Sequence, residues 1–566
     1  MARETTQRRK TVGEMLVEAA VVTEDQLGSA MAIALRDGRK IEHVLVEQSL
    51  ITDQQLAMFT SLQLNIPFVN LKKQPIDVAA LELVPESVAR KYSAVPLDLT
   101  NGSIVIAMED PGNVHAIDDL SAITRKRIEP VLGISADIQE AIDRSYRSGS
   151  EIEKQLSQIP TRAMTPGMLE TRISADAIAH APIVRAIDLL LRQAVRDRAS
   201  DVHIEPEEDE VRIRYRIDGI LHEMLALPGS VHAPLISRMK IMAGMNIAER
   251  RRPQDGQITF SLGDREIDIR VATANTVNGE MMVLRILDKS FAFLTLPELG
   301  FLPDALEQYQ KMLKMPFGMV VTSGPTGSGK TTSLYASLNQ IDSVGRNIIT
   351  IEDPVEYHFG NINQIQVNTQ AGVTFAAGLR ASMRLDPDVI LVGEIRDAET
   401  AQIAIQAALT GHLVLTSVHA NDTAGVVFRL VDLGVEPFLV AQAIVGVVAQ
   451  RMVRRICPHC ARHVVAPAEE RMVYEEELGE ERGEFLYGSG CNFCANTGYL
   501  GRTGIYEVMT VSEEIRRMIL TSGSSDEIRS RATEDGMVSL WRCGMLMVKN
   551  GRTTPYEVLR NVFSIG

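Results

Sequence analysis

The sequence contains no hydrophobic run long enough to cross a membrane. Its longest nearly apolar stretch, Phe438 to Val448, is interrupted by Gln442 and is shorter than the roughly 20 residues of a transmembrane helix. The segment from Met1 to Lys10 is polar and charged, with no apolar core after it, so no secretory signal peptide is predicted. We therefore expect a cytoplasmic chain.

An excess of positive charge is also absent. The 566 residues include 58 Lys and Arg against 73 Asp and Glu, which gives a formal net charge of −15. Proteins bind nucleic acid largely by neutralising its phosphates with Lys and Arg, so this balance disfavours nucleic acid as a partner. Hydrophobic residues make up 45% and charged residues 23% of the chain, as in ordinary globular proteins. The length predicts several domains.

Cysteine is scarce, and four of the five cysteines stand in two pairs. The segments Cys457-Pro-His-Cys460 and Cys491-Asn-Phe-Cys494 have the C-x₂-C spacing of thiolates that hold a tetrahedral structural Zn²⁺. A redox-active pair is the alternative interpretation, and His459 or His463 could replace one thiolate. We expect the long acidic segment between the pairs to form a helical hairpin. Cys543 is predicted to be a core residue.

A phosphate-binding loop is the clearest motif in the chain. Residues 324–331 fit the pattern G-x-x-x-x-G-K-[ST] at every fixed position, between an apolar run and a helix-compatible stretch. Glycines let successive backbone N–H groups point at phosphate oxygens, and the following helix adds its dipole. We expect Lys330 to reach the β- and γ-phosphates of ATP or GTP and the Thr331 hydroxyl to bind Mg²⁺. The predicted nucleotide-binding residues are Gly324, Pro325, Thr326, Gly327, Ser328, Gly329, Lys330, Thr331 and Thr332.

Two predicted strands downstream of this loop end in acids. The first ends in Glu352, with Asp353 and Glu356 close behind, and the second leads to Glu394. Ligands bind at the carboxyl ends of strands in open α/β sheets, where acids can hold the Mg²⁺ shell or polarise an attacking water. A solvated loop carboxylate is the alternative for each acid taken alone. A third predicted strand carries a histidine at each end, His412 and His419.

These four segments resemble the Walker A, Asp box, Walker B and His box of the ATPases that power type II secretion and type IV pilus assembly. The resemblance continues outside them. Ser200–Pro206, Arg214–Gly219 and Arg252–Gly256 are similar to the family's second N-terminal domain, and Leu83–Arg90 and Ala107–Pro111 are similar to its first. Similarity therefore extends over nearly the whole chain.

The resemblance implies a homo-hexameric ring that uses ATP and Mg²⁺ at the inner face of the cytoplasmic membrane. Its expected partners are an inner-membrane platform protein and associated assembly proteins on the cytoplasmic side. ATP would lie between two lobes, with arginines of the N-terminal lobe approaching the phosphates, where they could stabilise the transferring phosphoryl group. Ion pairing on a strand surface is the alternative for these arginines. The candidates are Arg214, Arg216, Arg270 and Arg285.

The resemblance also assigns roles to the acids and histidines. Glu394 occupies the Walker B position, preceded by Gly393 where many related ATPases have aspartate. We favour Glu394 for the Mg²⁺–water shell and keep Glu352 as an equal candidate for the catalytic base. His412 and His419 would sense the γ-phosphate or brace a subunit contact, and a core-strand histidine is the alternative. In this family a zinc insert is typical of assembly ATPases and is generally lacking in retraction ATPases.

An internal repeat opens the chain, since Val12–Leu27 aligns with Ile41–Leu56. Each copy predicts a short helix, then Thr at an N-cap, then a second helix. The repeat resembles the cyclic-di-GMP-binding module of some of these ATPases, whose motif begins Arg-Leu-Gly. This chain has Thr11-Val-Gly13 and Lys40-Ile-Glu42 at those positions and keeps the motif's final glutamine at Gln63. We therefore favour a protein-docking role over cyclic-di-GMP binding.

The sequence as a whole predicts an α/β protein that hydrolyses ATP and drives pilin polymerisation or type II secretion. The alternatives are a pilus retraction ATPase and a nucleic-acid-translocating ring ATPase. The expected regions are a helical repeat (1–66), a small α/β domain (67–147), a linker (148–176), an α/β PAS-like lobe that contributes arginines (177–289), and a RecA-like ATPase domain (290–566) with the zinc insert (457–494).

Overall fold

The structure is a computed structural model that describes residues 11–37, 41–48, 50–100, 102–146, 182–262, 265–287, 294–341 and 343–562. The predicted linker, 148–176, lies outside the described residues. Contacts divide the chain into two compact units. The first contains Met1–Asp197, Cys457–Cys460 and Gly488–Gly498, and the second contains Arg198–Ile456, Ala461–Tyr487 and Tyr499–Gly566.

The N-terminal repeat of the first unit folds as two helical hairpins around one aliphatic core. The predicted threonine N-caps are confirmed, because the backbone N–H groups of Gln26 and Gln55 donate to the hydroxyls of Thr23 and Thr52 at 3.3 and 3.2 Å. The helices are α1 (Val12–Glu18), α2 (Glu24–Asp37), α3 (Ile41–Glu47) and α4 (Asp53–Leu64).

A small α/β module follows in the same unit. Its three-stranded sheet has the order β1-β2-β3, with β1 and β2 antiparallel and β2 and β3 parallel. The helix Val114–Thr124 connects the two parallel strands, because parallel strands need a crossover connection. The elements are α5 (Val78–Leu81), α6 (Glu86–Lys91), β1 (Ala94–Thr100), β2 (Ser103–Met108), α7 (Val114–Thr124), β3 (Arg127–Leu132) and α8 (Ser135–Ser145), and α9 (Pro182–Arg196) ends the unit's N-terminal part.

The second unit begins with a six-stranded antiparallel sheet in the order β6-β5-β4-β9-β8-β7. Apolar and polar residues alternate along β5, as the sequence predicts for a half-exposed strand. One face of the strand is therefore buried and the other carries its arginines. The elements are β4 (Ala199–Pro206), β5 (Glu210–Ile217), β6 (Ile220–Pro228), α10 (His232–Met242), β7 (Gln254–Leu262), β8 (Arg265–Thr276) and β9 (Gly279–Leu287).

The C-terminal domain is built on a seven-stranded sheet in the order β12-β11-β13-β14-β10-β15-β18. The strands are parallel except β18, which runs antiparallel to β15. Four of them are buried over their whole length, which explains their uninterrupted apolar sequences. The strands after β9 are β10 (Gly318–Ser323), β11 (Ile348–Glu352), β12 (Asn363–Gln366), β13 (Val389–Val392), β14 (Leu413–Val418), β15 (Ile444–Ile456), β16 (Ala461–Val465), β17 (Glu484–Gly488) and β18 (Tyr499–Thr510).

Helices cover both faces of this sheet and fill the C-terminal part of the domain. They are α11 (Pro303–Leu313), α12 (Lys330–Gln340), α13 (Phe375–Ser382), α14 (Ala398–Leu409), α15 (Thr423–Asp432), α16 (Pro437–Ala443), α17 (Ala468–Leu478), α18 (Glu513–Leu520), α19 (Ser525–Glu534), α20 (Leu540–Lys549) and α21 (Pro555–Val562). Within the described ranges, no helix has the length and apolar character needed to cross a membrane.

The segment between the two cysteine pairs is not the predicted helical hairpin. Strands β16 and β17 pair as a two-stranded sheet, and α17 connects them. The acidic run Glu475–Glu477 does lie in a helix, but the flanking segments contain residues that favour strands, Val464 and Val465 on one side and Phe485 on the other. The prediction was wrong because it extended the helical character of the acidic run to both flanks.

Candidate functional site

The phosphate-binding loop joins a buried strand to a helix, as the motif predicts. Strand β10 ends at Ser323 and α12 begins at Lys330. Gly324 has a φ of +147°, and a Cβ there would lie 2.5 Å from the carbonyl oxygen of Gln450. Gln450 in turn donates to the carbonyl oxygen of Ser328 at 2.6 Å. The loop is thus packed on β15 so closely that only glycine fits at its first position.

The residues of this loop fit the phosphates of a nucleotide with Mg²⁺. The Ser328 hydroxyl is buried and has no hydrogen-bond partner among the described residues, so it is available to a phosphate oxygen. The Lys330 ammonium donates to the carbonyl oxygens of Gly324 and Pro325 at 2.7 and 3.2 Å. Burial lowers the pKa of Lys330, and the negative charge of Glu394 opposes this shift. Thr331 is exposed in the first turn of α12.

The structure brings Glu394 and His419 together at adjacent strand ends. Strands β13 and β14 are parallel neighbours, so their carboxyl ends lie side by side. The Nε2 atom of His419 lies 3.5 Å from Oε2 of Glu394, and Arg396 pairs with the other carboxylate oxygen. Strand β14 lies between β13 and β10 in the sheet, so Glu394 stands at the same edge of the sheet as the phosphate loop that follows β10.

His412 is not brought into this site. It precedes β14 at the opposite end from His419, and its Nδ1 atom lies 2.9 Å from the carbonyl oxygen of Ala407. A strand rises about 3.3 Å per residue, so the two histidines are roughly 20 Å apart. The structure therefore gives no support to a contact between His412 and the γ-phosphate. A sequence places both histidines in one short segment, but only the strand direction tells which end meets the ligand.

Glu352 and Glu356 lie in different environments. Glu352 is only 4% exposed, and its carboxylate accepts hydrogen bonds from three interior side chains, those of Tyr335, Thr350 and Gln364. Glu356 is 28% exposed and pairs with Nη1 of Arg270 at 3.2 Å. Sequence reasoning noted Glu356 as a strand-end acid but preferred Glu352. Its position beyond the end of β11 was the available signal that its carboxylate is accessible.

All four candidate arginines of the N-terminal lobe make ion pairs. Arg214 donates to Glu205 at 2.6 Å, and this hydrogen bond raises the pKa of Arg214. Arg216 and Arg285 share one partner, Asp201, with Nε to carboxylate distances of 3.5 and 3.2 Å. The fourth, Arg270, reaches across to the segment after β11.

Sequence reasoning missed a basic cleft beside the phosphate loop. The cleft has a volume of about 160 Å³ and includes the loop residues 325–328 and the turn Asp218–Gly219. Its most buried cation is Arg451, which is 7% exposed and hydrogen-bonds only to the carbonyl oxygens of Gln450 and Asn421 within the described part of the chain. Burial lowers the pKa of this guanidinium. Arg451 is a charged residue in a mostly apolar strand, but no motif distinguishes it from Arg454 and Arg455 of the same strand. The remaining arginines of the cleft are Arg454, Arg502 and Arg560.

The four paired cysteines form one cluster. The Sγ atoms of Cys457 and Cys491 are 3.8 Å apart, those of Cys460 and Cys494 are 3.9 Å apart, and those within the second pair are 3.7 Å apart. A tetrahedral zinc with Zn–S bonds of about 2.3 Å requires sulfur–sulfur distances of about 3.8 Å. The cluster thus fits Zn²⁺, and no disulfide joins its members.

The environment of the cluster differs from that of the fifth cysteine. Asn492, which stands between the cysteines of the second pair, accepts a hydrogen bond from the backbone N–H of Ile76 at 3.2 Å. The second cysteine pair therefore contacts the small α/β module within the first unit. Cys543 is fully buried in an apolar cluster, and burial raises the pKa of its thiol to about 11. Cys543 is a core residue, as predicted.

Comparison with protein families identifies the chain. The family model described as type II/IV secretion system protein matches residues 176–560, about two thirds of the sequence. This chain belongs to that family. A second model, the MshEN domain, matches residues 64–152. That match covers the small α/β module and not the helical repeat, which is the segment that resembles a cyclic-di-GMP module.

Curated relatives of this secretion-family chain align over most of its length. The type IV pilus assembly ATPase PilB of Myxococcus xanthus is 39% identical over 559 residues, which cover 97% of this chain and 98% of the relative. The type II secretion system protein E of Xanthomonas campestris pv. campestris is 37% identical over 556 residues, with 97% of each covered. The type II secretion system protein HxcR of Pseudomonas aeruginosa is 49% identical over 380 residues, covering 67% of this chain and 77% of the relative. The predicted family and the ATP-hydrolase class are confirmed, and the sheets with their covering helices confirm the α/β fold class.

Proposed function

We propose that this chain is the ATPase motor of a type IV pilus assembly or type II secretion machine. One observation carries the proposal. A complete phosphate loop, Glu394 and His419 meet at the carboxyl ends of parallel strands, in a chain whose relatives over 97% of its length are a pilus assembly ATPase and a type II secretion protein. Acids and cations at such strand ends suit phosphoryl transfer to water.

The site residues have distinct roles in this proposal. The backbone of residues 324–329 and Lys330 hold the phosphates, while Thr331 and Glu394 hold Mg²⁺, which neutralises phosphate charge when bound. His419 orients Glu394. Glu356 is better placed than Glu352 to orient the attacking water, because its carboxylate is accessible and that of Glu352 is occupied by three interior donors. The candidate arginines Arg214, Arg216, Arg270 and Arg285 stabilise charge on the phosphoryl group.

The remaining parts of the proposal concern assembly and location. The four cysteines of the knuckle, Cys457, Cys460, Cys491 and Cys494, hold a structural Zn²⁺, as their sulfur–sulfur distances support. Subunits form a hexamer at the cytoplasmic face of the inner membrane. Closure of the two lobes on ATP then displaces a membrane platform protein and its associated assembly proteins. Nucleic acid has no part in this cycle.

The test replaces the chromosomal gene with a Lys330→Ala variant in the source organism. Surface pili are then counted and secreted protein is measured. We expect one of the two outputs to disappear while the variant accumulates normally. Lys311→Ala is the matched control, because Lys311 is an exposed helix lysine whose ion pair in the described part of the chain is with Glu307, and it should preserve both outputs. An excess of surface pili over the parent would indicate a retraction motor, and unchanged pili and secretion would contradict the proposal outright.

A further inference from the structure

The motif Ser200–Pro206 supplies the acids that pair with three of the candidate arginines. It forms β4, a central strand of the antiparallel sheet. Val202 and Ile204 are fully buried on one face, while Asp201 and Glu205 lie on the other, because side chains alternate along a strand. Glu205 pairs with Arg214 of β5, and Asp201 pairs with Arg216 of β5 and with Arg285 of β9.

Asp201 lies in a row of side chains that crosses the sheet. It is opposite Arg216 of β5 on one side and Arg285 of β9 on the other, and Arg285 is opposite Arg270 of β8. Directly opposed residues project from the same face of a sheet. Arg216, Asp201, Arg285 and Arg270 therefore form one line, which we call the arginine row.

A single carboxylate holds the middle of the arginine row. Asp201 is 8% exposed, and its Oδ1 atom accepts from Nε of Arg285 at 3.2 Å. Its Oδ2 atom lies 3.5 Å from Nε of Arg216 and accepts from the hydroxyl of Ser200 at 2.8 Å. The guanidiniums of Arg216 and Arg285 therefore both face Asp201 through their Nε atoms. The Nη groups of Arg285, whose side chain is 65% exposed, make no hydrogen bond to another described residue.

The two ends of the arginine row contact segments that border the candidate nucleotide site. At one end Arg270 donates to Glu356 and to the carbonyl oxygen of Val355, at 3.2 and 3.3 Å. At the other end Arg216 donates to the carbonyl oxygen of Gly219 at 3.2 Å, and Gly219 lines the cleft beside the phosphate loop. The row therefore extends from the segment after β11 to the turn that lines the cleft beside the phosphate loop.

We propose that Asp201 is the positioning residue that holds Arg285, and with it Arg216, in the orientation that meets the nucleotide's phosphates. This inference rests on the proposed function. Asp201 does not touch the nucleotide itself. It neutralises the repulsion between two guanidiniums on either side of it. It also fixes each one at Nε, so the Nη groups can face a phosphate without losing further rotamer freedom.

The test measures steady-state ATP hydrolysis and thermal unfolding of the full-length Asp201→Asn protein. We expect kcat to fall about tenfold with KM for ATP changed less than about twofold, because a positioned arginine acts mainly on charge that develops in the transition state. In the double variant Asp201→Asn/Arg285→Gln, the loss in kcat should be smaller than the product of the two single-variant losses, because Asp201 acts partly through Arg285. Glu207→Gln, which breaks the 2.8 Å pair with Arg212, is the control and should leave kcat and KM unchanged.

A second variant keeps the proposal testable if Asp201→Asn does not fold. Arg285→Lys retains the charge on an exposed side chain. Unlike the arginine fork, its ammonium cannot hydrogen-bond in a fixed geometry to a carboxylate and a phosphate at once. It should lose as much kcat as Arg285→Gln, and full kcat in Arg285→Lys overturns the proposal. Wild-type kcat in a folded Asp201→Asn protein also overturns it, as does an additive double variant. Failure of the proposed function itself gives a different result, which is continued hydrolysis by Lys330→Ala.

Discussion

At the scale of single residues, burial separates acids that look equivalent in the sequence. Glu352 ends the predicted strand, and Glu356 follows closely behind it. The interior donors around Glu352 satisfy both of its carboxylate oxygens, whereas Glu356 faces the N-terminal lobe through Arg270. The two acids should therefore respond differently to the same amide substitution.

We expect Glu356→Gln to lower kcat for ATP hydrolysis about 100-fold with little change in stability, as for loss of a general base. Glu352→Gln should instead destabilise the domain by about 1–3 kcal/mol, because the buried network loses its charged acceptor. Steady-state kinetics and denaturant unfolding of both variants check this pair. The account would be wrong about the base if Glu352→Gln were the folded but inactive protein.

Residue types could be predicted from the sequence where a motif fixes backbone geometry. The glycine at position 324 is an example, because the pattern requires it and no Cβ fits there. Roles that depend on strand direction or on long-range contacts could not be predicted. His412 precedes the start of β14, at the end of the strand away from the phosphate loop. Arg451 lines the cleft because β15 extends past the phosphate loop.

At the scale of elements, the zinc knuckle shows which local structure can be read from spacing. Two C-x₂-C pairs predicted one cluster, and their sulfur atoms do converge. The segment between them was predicted poorly because a strand–helix–strand unit and a helical hairpin both return the chain to its start. The N-terminal repeat was predicted well, because each Thr N-cap is a local signal that acts within three residues.

We expect the double variant Cys457→Ser/Cys460→Ser to lose its zinc, because two of the four thiolates are removed. Loss of zinc should also loosen the contact between Asn492 and Ile76, so the knuckle region should exchange its amide hydrogens faster. Elemental analysis of the purified protein and hydrogen exchange measure both effects. Cys543→Ser is the matched control and should keep full zinc content, since its thiol lies away from the cluster. A full zinc complement in the double variant would refute the site.

At the scale of the whole molecule, the strand order brings the candidate nucleotide-site residues to one edge of the parallel sheet. The first unit contains the helical repeat, the α/β module and the zinc knuckle, and the second contains the arginine row and the nucleotide site. The parallel strands of the ATPase domain present Glu394 and His419 at adjacent carboxyl ends, with Lys330 in the loop that follows β10. The family and fold could be predicted from the sequence because motifs of every domain are present. The pairing of individual arginines could not, since it depends on register between distant strands.

The central claim is that this chain hydrolyses ATP at the loop containing Lys330. The most direct test is the rate of phosphate release by the purified full-length protein with Mg²⁺ and ATP, compared with Lys330→Ala and Lys311→Ala. We expect Lys330→Ala to lose at least about 100-fold in rate, because the cation facing the phosphates is removed, while its circular dichroism and oligomeric state remain unchanged. Lys311→Ala should match the parent. Hydrolysis by Lys330→Ala at the parent's rate would contradict the account.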